Sequence, residues 1–236
     1  MGRNRKKQKA KRRINHKRKR EIRIKMGKPV YFNLTHSTKS IHIPPNAYNY
    51  KANMHKLRIE KASNITNVKY QASIISYCCF NNVNLRGVDF FNTNLRGTTF
   101  KNAKLSDVVF FCCNLDGANF VGAKLDKVAF ICTNLKDVKG LTDNSGYKVY
   151  NTYPKIQIDN DLVDQLLSLS ANKGIFRYKV LHVNRSKINH WCLNLLFESF
   201  GDIAYQALSA LAKMHNRQNF FTVYSYKKYI DNFDKM

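Results

Sequence analysis

A mainly β solenoid is the fold predicted for the middle of this chain, because of a strict five-residue rhythm, the residue types that keep it, and its abrupt end. Leu or Phe occupies every fifth position from 80 to 135. Two positions before each stands a small or β-branched residue: Cys78, Val83, Val88, Thr93, Thr98, Ala103, Val108, Cys113, Ala118, Ala123, Val128 and Thr133. Neither the 3.6-residue period of a helix nor the 2.0-residue period of a strand gives that spacing, so the chain turns one inward corner per five residues. The rhythm delimits a repeat region over 65–141. Beyond Gly140 it stops, and Asp143-Asn144-Ser145-Gly146 reads as a turn.

The stretch 113–137, CNLDGANFVGAKLDKVAFICTNLKD, resembles the pentapeptide-repeat family, whose unit is roughly A(D/N)Lxx. The resemblance covers about a third of the chain. It implies a right-handed quadrilateral β-helix of four pentapeptides per coil, with the central Leu or Phe and the small residue two before it pointing inward. Residues twenty apart then stack about 4.8 Å apart, as in any β ladder. Phe80, Phe100 and Phe120 form one inward column, and Phe90, Phe110 and Phe130 another. Leu85/Leu105/Leu125 and Leu95/Leu115/Leu135 lie between them. Alternating fillers suit a narrow closed tube, so these aromatics are core and not a base-stacking platform.

On that implied geometry the outward positions are informative, because a solenoid does not need them to be apolar. Three faces carry polar or mixed columns: Arg86/Ser106/Asp126, Arg96/Asp116/Lys136 and Asn81/Lys101/Val121. The fourth carries Phe91, Phe111 and Ile131, flanked by Val109 and Ala129, and an apolar stripe of that extent requires a cover. These five residues are the candidate protein-docking face. The expected cover is the chain's own C-terminal helices; a partner protein or a second copy is the alternative.

The net charge of +26 is concentrated at one end: residues 1–28 hold 15 Lys and Arg against one acid, a net of +14. Such a segment has too little apolar surface to fold alone and reads as a disordered basic arm, or one ordered by RNA. Many cations on an extended chain release condensed counterions from a nucleic-acid backbone. The candidate nucleic-acid-binding residues are therefore Arg3, Arg5, Lys6, Lys7, Lys9, Lys11, Arg12, Arg13, Lys17, Arg18, Lys19, Arg20, Arg23, Lys25 and Lys28. RNA is the expected ligand, since Arg-rich segments order themselves in folded RNA, and DNA remains the nearest competitor. A nuclear-import signal and an anionic membrane surface are rivals, although Ile14, Ile22 and Ile24 are too sparse for an insertion face. Arg86, Arg96, Lys101, Lys104, Lys124, Lys127, Lys136 and Lys139 would add phosphate contacts from the rod.

Residues 29–64 read as a linker and N-terminal cap, with Pro29, Pro44 and Pro45 breaking short β-prone runs at Val30–Leu34 and Ser40–Ile43. Their aromatics (Tyr31, His36, His42, Tyr48, Tyr50, His55) either seal the open end of the tube or stack on unpaired bases. Residues 142–236 read as a mainly helical domain. Asp159 or Asn160 caps a helix to about Ser170, and apolar spacing marks further helices over Lys187–Phe200, Asp202–Met214 and Tyr224–Phe233.

Six cysteines show neither a disulfide framework nor a metal-ligand spacing. Cys78 and Cys113 point inward, whereas Cys112 and Cys132 should stack on successive coils and can bridge on oxidation. No apolar run is long enough for a membrane span, no signal-peptide core follows the basic start, and Lys6 stands where myristoylation wants Ser or Thr. The expected location is intracellular, in cytoplasm or organelle matrix. Glu198 and Asp202 lie one turn apart with His190 upstream, but no H-E-x-x-H, P-loop or dinucleotide motif accompanies them. No enzyme, catalytic residue, metal or cofactor is expected.

These observations predict a nonenzymatic RNA-binding protein, a structural or accessory component of a large ribonucleoprotein such as a ribosome. The alternatives are a protein–protein interaction scaffold or effector with a basic targeting tail, and a topoisomerase-protecting member of the same family. The last rests on the family's acidic DNA-mimicking rods, whose sign of charge this chain does not share.

Overall fold

The computed structural model describes residues 33–35, 40–142, 146–214 and 219–235. A β-solenoid core is followed by a small C-terminal helical region. The solenoid strands are β1 (Asn33–Thr35), β2 (Ala47–Tyr50), β3 (Asn53–His55), β4 (Asn64–Gln71), β5 (Ile74–Ser76), β6 (Asn84–Phe91), β7 (Lys104–Ser106), β8 (Val109–Phe111), β9 (Lys124–Asp126), β10 (Val128–Ile131) and β11 (Tyr147–Tyr150). All pair in parallel, each with the strand one coil away. Asn64 faces Asn84, Phe90 faces Phe110 and Ala129 faces Val109, a register of twenty residues. Bridges continue it on the other faces, through Asn94, Asn114 and Asn134 and through Thr99, Asn119 and Lys139.

The interior is the predicted pair of aromatic columns. Phe80, Phe100 and Phe120 stack at 5.3 and 4.8 Å, and Phe90, Phe110 and Phe130 at 5.1 and 5.0 Å. The columns meet edge to face, as the ring quadrupole favours. Tyr70 extends the second column, stacking on Phe90 at 5.4 Å. Thr93, Thr98 and Thr133, at the small inward positions, are buried and donate their hydroxyls to backbone carbonyls, so no polar cost remains.

The ladder runs past both ends of 65–141. The segment read as a linker and cap contains an earlier coil, with Ala52, Met54, Leu57 and Ile59 buried in the tube. Here the register is twenty-one: Ala47 pairs with Val68, Met54 with Ile75 and Arg58 with Cys79. One extra residue between Ile59 and Ile65 shifts the phase, so the five-residue count breaks while the coil persists. At the other end β11 pairs with β10, and the Tyr147 ring meets Phe130 edge-on at 5.6 Å. The expected turn at 143–145 lies outside the described residues.

The helical region comprises α1 (Asn160–Ser168), a 3₁₀ turn at Leu169–Ala171, the single turn α2 (Lys173–Phe176), α3 (His190–Phe200), α4 (Asp202–Lys213) and α5 (Val223–Phe233). Asp159 caps α1 by accepting from the Leu162 amide at 2.7 Å, and Thr222 with Ser225 forms a capping box on α5. A hairpin of β12 (His182–Asn184) and β13 (Lys187–Ile188) precedes α3, where the sequence spacing predicts helix from Lys187. The Asn189 side chain, accepting from the Cys192 amide, starts α3 later.

Candidate interaction surfaces

The five-residue spacing marks the apolar face for docking. Phe91, Val109, Ala129 and Ile131 are buried, and Phe111 half-buried, in one cluster with Leu162, Leu166, Cys192, Leu196, Val223 and Tyr226. The cover is the chain's own helical region. A partner at this face is thereby corrected: the surface is already occupied, and removing its cover would expose a second hydrophobic core.

Under the cover lies a buried ion pair that the sequence reasoning missed. Lys69 and Asp89 precede Val109 and Ala129 in the same outward column, and both side chains have no exposure to solvent. The Lys69 ammonium sits 3.5 Å from Asp89 Oδ2 and 3.1 Å from the centre of the Phe91 ring. The Val223 amide, at the start of α5, donates to Asp89 Oδ2 at 3.0 Å. Burial pushes the Lys69 ammonium's pKa down and the Asp89 carboxyl up to about 6. The readable signal was opposite charges twenty residues apart, which the register makes neighbours. Two further polar links anchor α5: Lys227 bonds Asp107 at 2.9 Å, and Thr222 donates to Asn67 at 2.7 Å.

The candidate acid–base residues do not converge. His190 and Glu198 lie eight residues apart on α3, about 12 Å along the axis. Glu198 accepts from Lys148 (2.8 Å), Tyr150 (2.8 Å) and Asn194 (2.6 Å), tying α3 to β11. Partial burial raises its pKa, but these three donors outweigh that and hold the carboxyl below its usual range. Ionised and held by these donors, it is a strut between α3 and β11. A groove of about 710 Å³ opens beside it between rod and helices, bordered by Arg86, Asp126, Lys127, Tyr150 and Lys228. Among the described residues no three His, Cys, Asp or Glu side chains are placed to hold a metal ion. Among the described residues no helix is long and apolar enough to cross a membrane.

The fifteen candidate nucleic-acid-binding residues, Arg3 to Lys28, lie outside the described residues. The rod's cations do not form one track. Arg96 is paired with Asp116 at 3.0 Å, Arg86 leans over the Tyr224 ring, and the lysines are divided among different faces. The open face centred on Leu95 and Leu115 is the most regular. Asn94, Asn114 and Asn134 lie one above another, each accepting from the amide two residues on. Beside them runs the exposed column Arg96, Asp116 and Lys136, with Ile74 and Tyr77 exposed near one end.

Residues 63–139 match the family model described as "Pentapeptide repeat region". Over those residues the chain carries the pentapeptide repeat of that family. A comparison with curated proteins returns no match. Among solved structures, it is similar to a pentapeptide-repeat protein from the Arabidopsis thaliana thylakoid lumen, at 20% identity and a TM-score of 0.36, over 45% of this chain and 76% of that one. It is similar to QnrB1, a plasmid-mediated fluoroquinolone resistance protein, at 15% identity and a TM-score of 0.33, over 50% and 58%. A third is HetL from Nostoc, involved in heterocyst differentiation regulation, at 18% identity and a TM-score of 0.26, over 49% and 62%.

The pentapeptide-repeat match overturns the expectation of an RNA-binding, ribosome-associated protein. A charged tail alone does not specify RNA, because it fixes only the sign of the surface it meets. The rod adds no basic track to support it, because acidic side chains interrupt two of its outward columns.

Proposed function

We propose that this protein is a nonenzymatic protein–protein interaction scaffold, in which a stiff repeat rod presents fixed side-chain columns to a protein partner. The observation that carries this reading is the open face with Asn94, Asn114 and Asn134 beside Arg96, Asp116 and Lys136. Its backbone hydrogen bonds are made within the ladder, so docking orders few groups, and preorganisation of that kind conserves affinity. The signs +, −, + repeat at the coil spacing of about 4.8 Å, which fits a partner surface of complementary alternation. Ile74 and Tyr77 add apolar area at one end of the same face.

In this reading the solenoid is right-handed and quadrilateral, the helical region is its permanent cover, and residues 1–28 serve as a basic targeting tail within the cell. The test is cross-linking of the tagged full-length protein in its native cells, with Arg96→Glu/Lys136→Glu in parallel. Partner cross-links to this face that the double variant loses support the scaffold. Cross-links confined to residues 1–28 contradict it. The topoisomerase-protecting alternative is separated by supercoiling with a bacterial type II topoisomerase and a quinolone: rescue of activity by this protein would favour that alternative.

A further inference from the structure

The repeat places two of the six cysteines at the same corner of successive coils. Cys112 and Cys132 directly follow Phe111 and Ile131, which are ladder partners. The Cys112 amide donates to the Ile131 carbonyl and the Cys132 amide to the Tyr150 carbonyl, both at 2.9 Å. Both residues have left-handed backbones, with φ of 49° and 46°, so the same corner geometry projects both side chains alike. Both thiols are free and exposed, and the Cys112 pKa is raised by partial burial and then by the neighbouring Cys132 thiol. Neighbouring rungs lie about 4.8 Å apart, inside the roughly 4.4–6.8 Å Cα separation that a disulfide spans. The remaining cysteines are placed differently: Cys78, Cys113 and Cys192 are buried, and Cys79 has Arg58 and Thr99 as its ladder neighbours.

We propose that Cys112 and Cys132 are an oxidative modification site, closed to a reversible cross-coil disulfide by a small-molecule disulfide such as oxidised glutathione. The Cys112 thiolate attacks one sulfur of the small disulfide and expels a thiolate, giving a mixed disulfide. The Cys132 thiolate then attacks the Cys112 sulfur and expels the second. Two protein thiols lose two protons and two electrons, and the small disulfide is reduced to two thiols. The bond joins the β8 and β10 rungs next to β11, whose Lys148 and Tyr150 hold Glu198 of α3. It therefore staples the coil that bears the helical cover, mainly by restricting the unfolded chain.

The test uses the full chain, reduced and then incubated with oxidised glutathione, alkylated and digested with trypsin without reductant. The expected product is peptide 105–124 joined to peptide 128–136, with fragment ions placing the link at Cys112 and not Cys113. The intact mass falls by two hydrogens, and dithiothreitol restores it. With Cys112→Ser the joined peptide is lost and a glutathione adduct stays on Cys132. Absence of any oxidation, stable adducts on both cysteines, a link to another cysteine, or a covalent dimer would each overturn the proposal.

Discussion

The Lys69 ammonium and the Asp89 carboxylate face each other at 3.5 Å with no solvent exposure, between the rod and the start of α5. Asp89 Oδ1 has no hydrogen-bond partner among the described residues. The pair is thus imperfectly compensated, and such pairs stabilise less than their proximity suggests. Lys69→Met alone, which leaves a bare carboxylate, should cost about 3–5 kcal/mol in urea unfolding. Lys69→Met with Asp89→Leu should recover most of that loss or exceed the wild type. A double variant as unstable as the single one would show the pair to be a net source of stability.

Gly87 bears on the same junction. Its φ is +62°, and a Cβ there would lie 2.3 Å from the Tyr224 ring. Gly87→Ala should destabilise the protein by about 1–3 kcal/mol through left-handed strain and overpacking. Tyr224→Ala should cost less in the Gly87→Ala background than in the wild type, a coupling that a double-mutant cycle in urea measures.

Ile131 is fully buried between the solenoid and its cover. Ile131→Asp places an unpaired charge there and should loosen the helices by more than about 4 kcal/mol. Hydrogen exchange should report faster exchange in α3 and α5 while the Phe90–Phe110 stack region stays protected. Uniform exchange loss would mean that rod and cover unfold as one unit.

Glu198 supplies an acid-sensitive tether. Its folded pKa lies below the unfolded value of about 4.5, so its contribution is complete above that value and is lost as pH falls through the folded one. Unfolding followed from pH 6 to pH 3 should show weakening attachment of α3, and Glu198→Gln should remove that component. An unchanged acid profile in the variant would place the sensitivity elsewhere.

The periodicity made the tube legible from residues 80 to 135, because each inward residue announces itself at a fixed spacing. The first coil was hidden by one residue: Met54 and Ile59 keep the pattern, yet six positions separate Ile59 from Ile65. Phe91, Phe111 and Ile131 predicted a cover, since apolar side chains outside a closed tube need one. Lys69 and Asp89 were missed because charge reads as exposure until the register shows that both stand beneath that cover. The hairpin at β12 and β13 carries no periodic signal in so few residues. The basic arm misled the functional reading, because net charge fixes the sign of a partner surface and not its chemistry.

The central claim is tested most directly by nuclease-treated capture of the full-length protein from its native cells, with cross-links mapped residue by residue. The scaffold account predicts a protein partner that survives nuclease, with cross-links along the face carrying Arg96, Asp116 and Lys136, lost in Arg96→Glu/Lys136→Glu. A partner released by nuclease, or cross-links unaffected by that double variant, would contradict it.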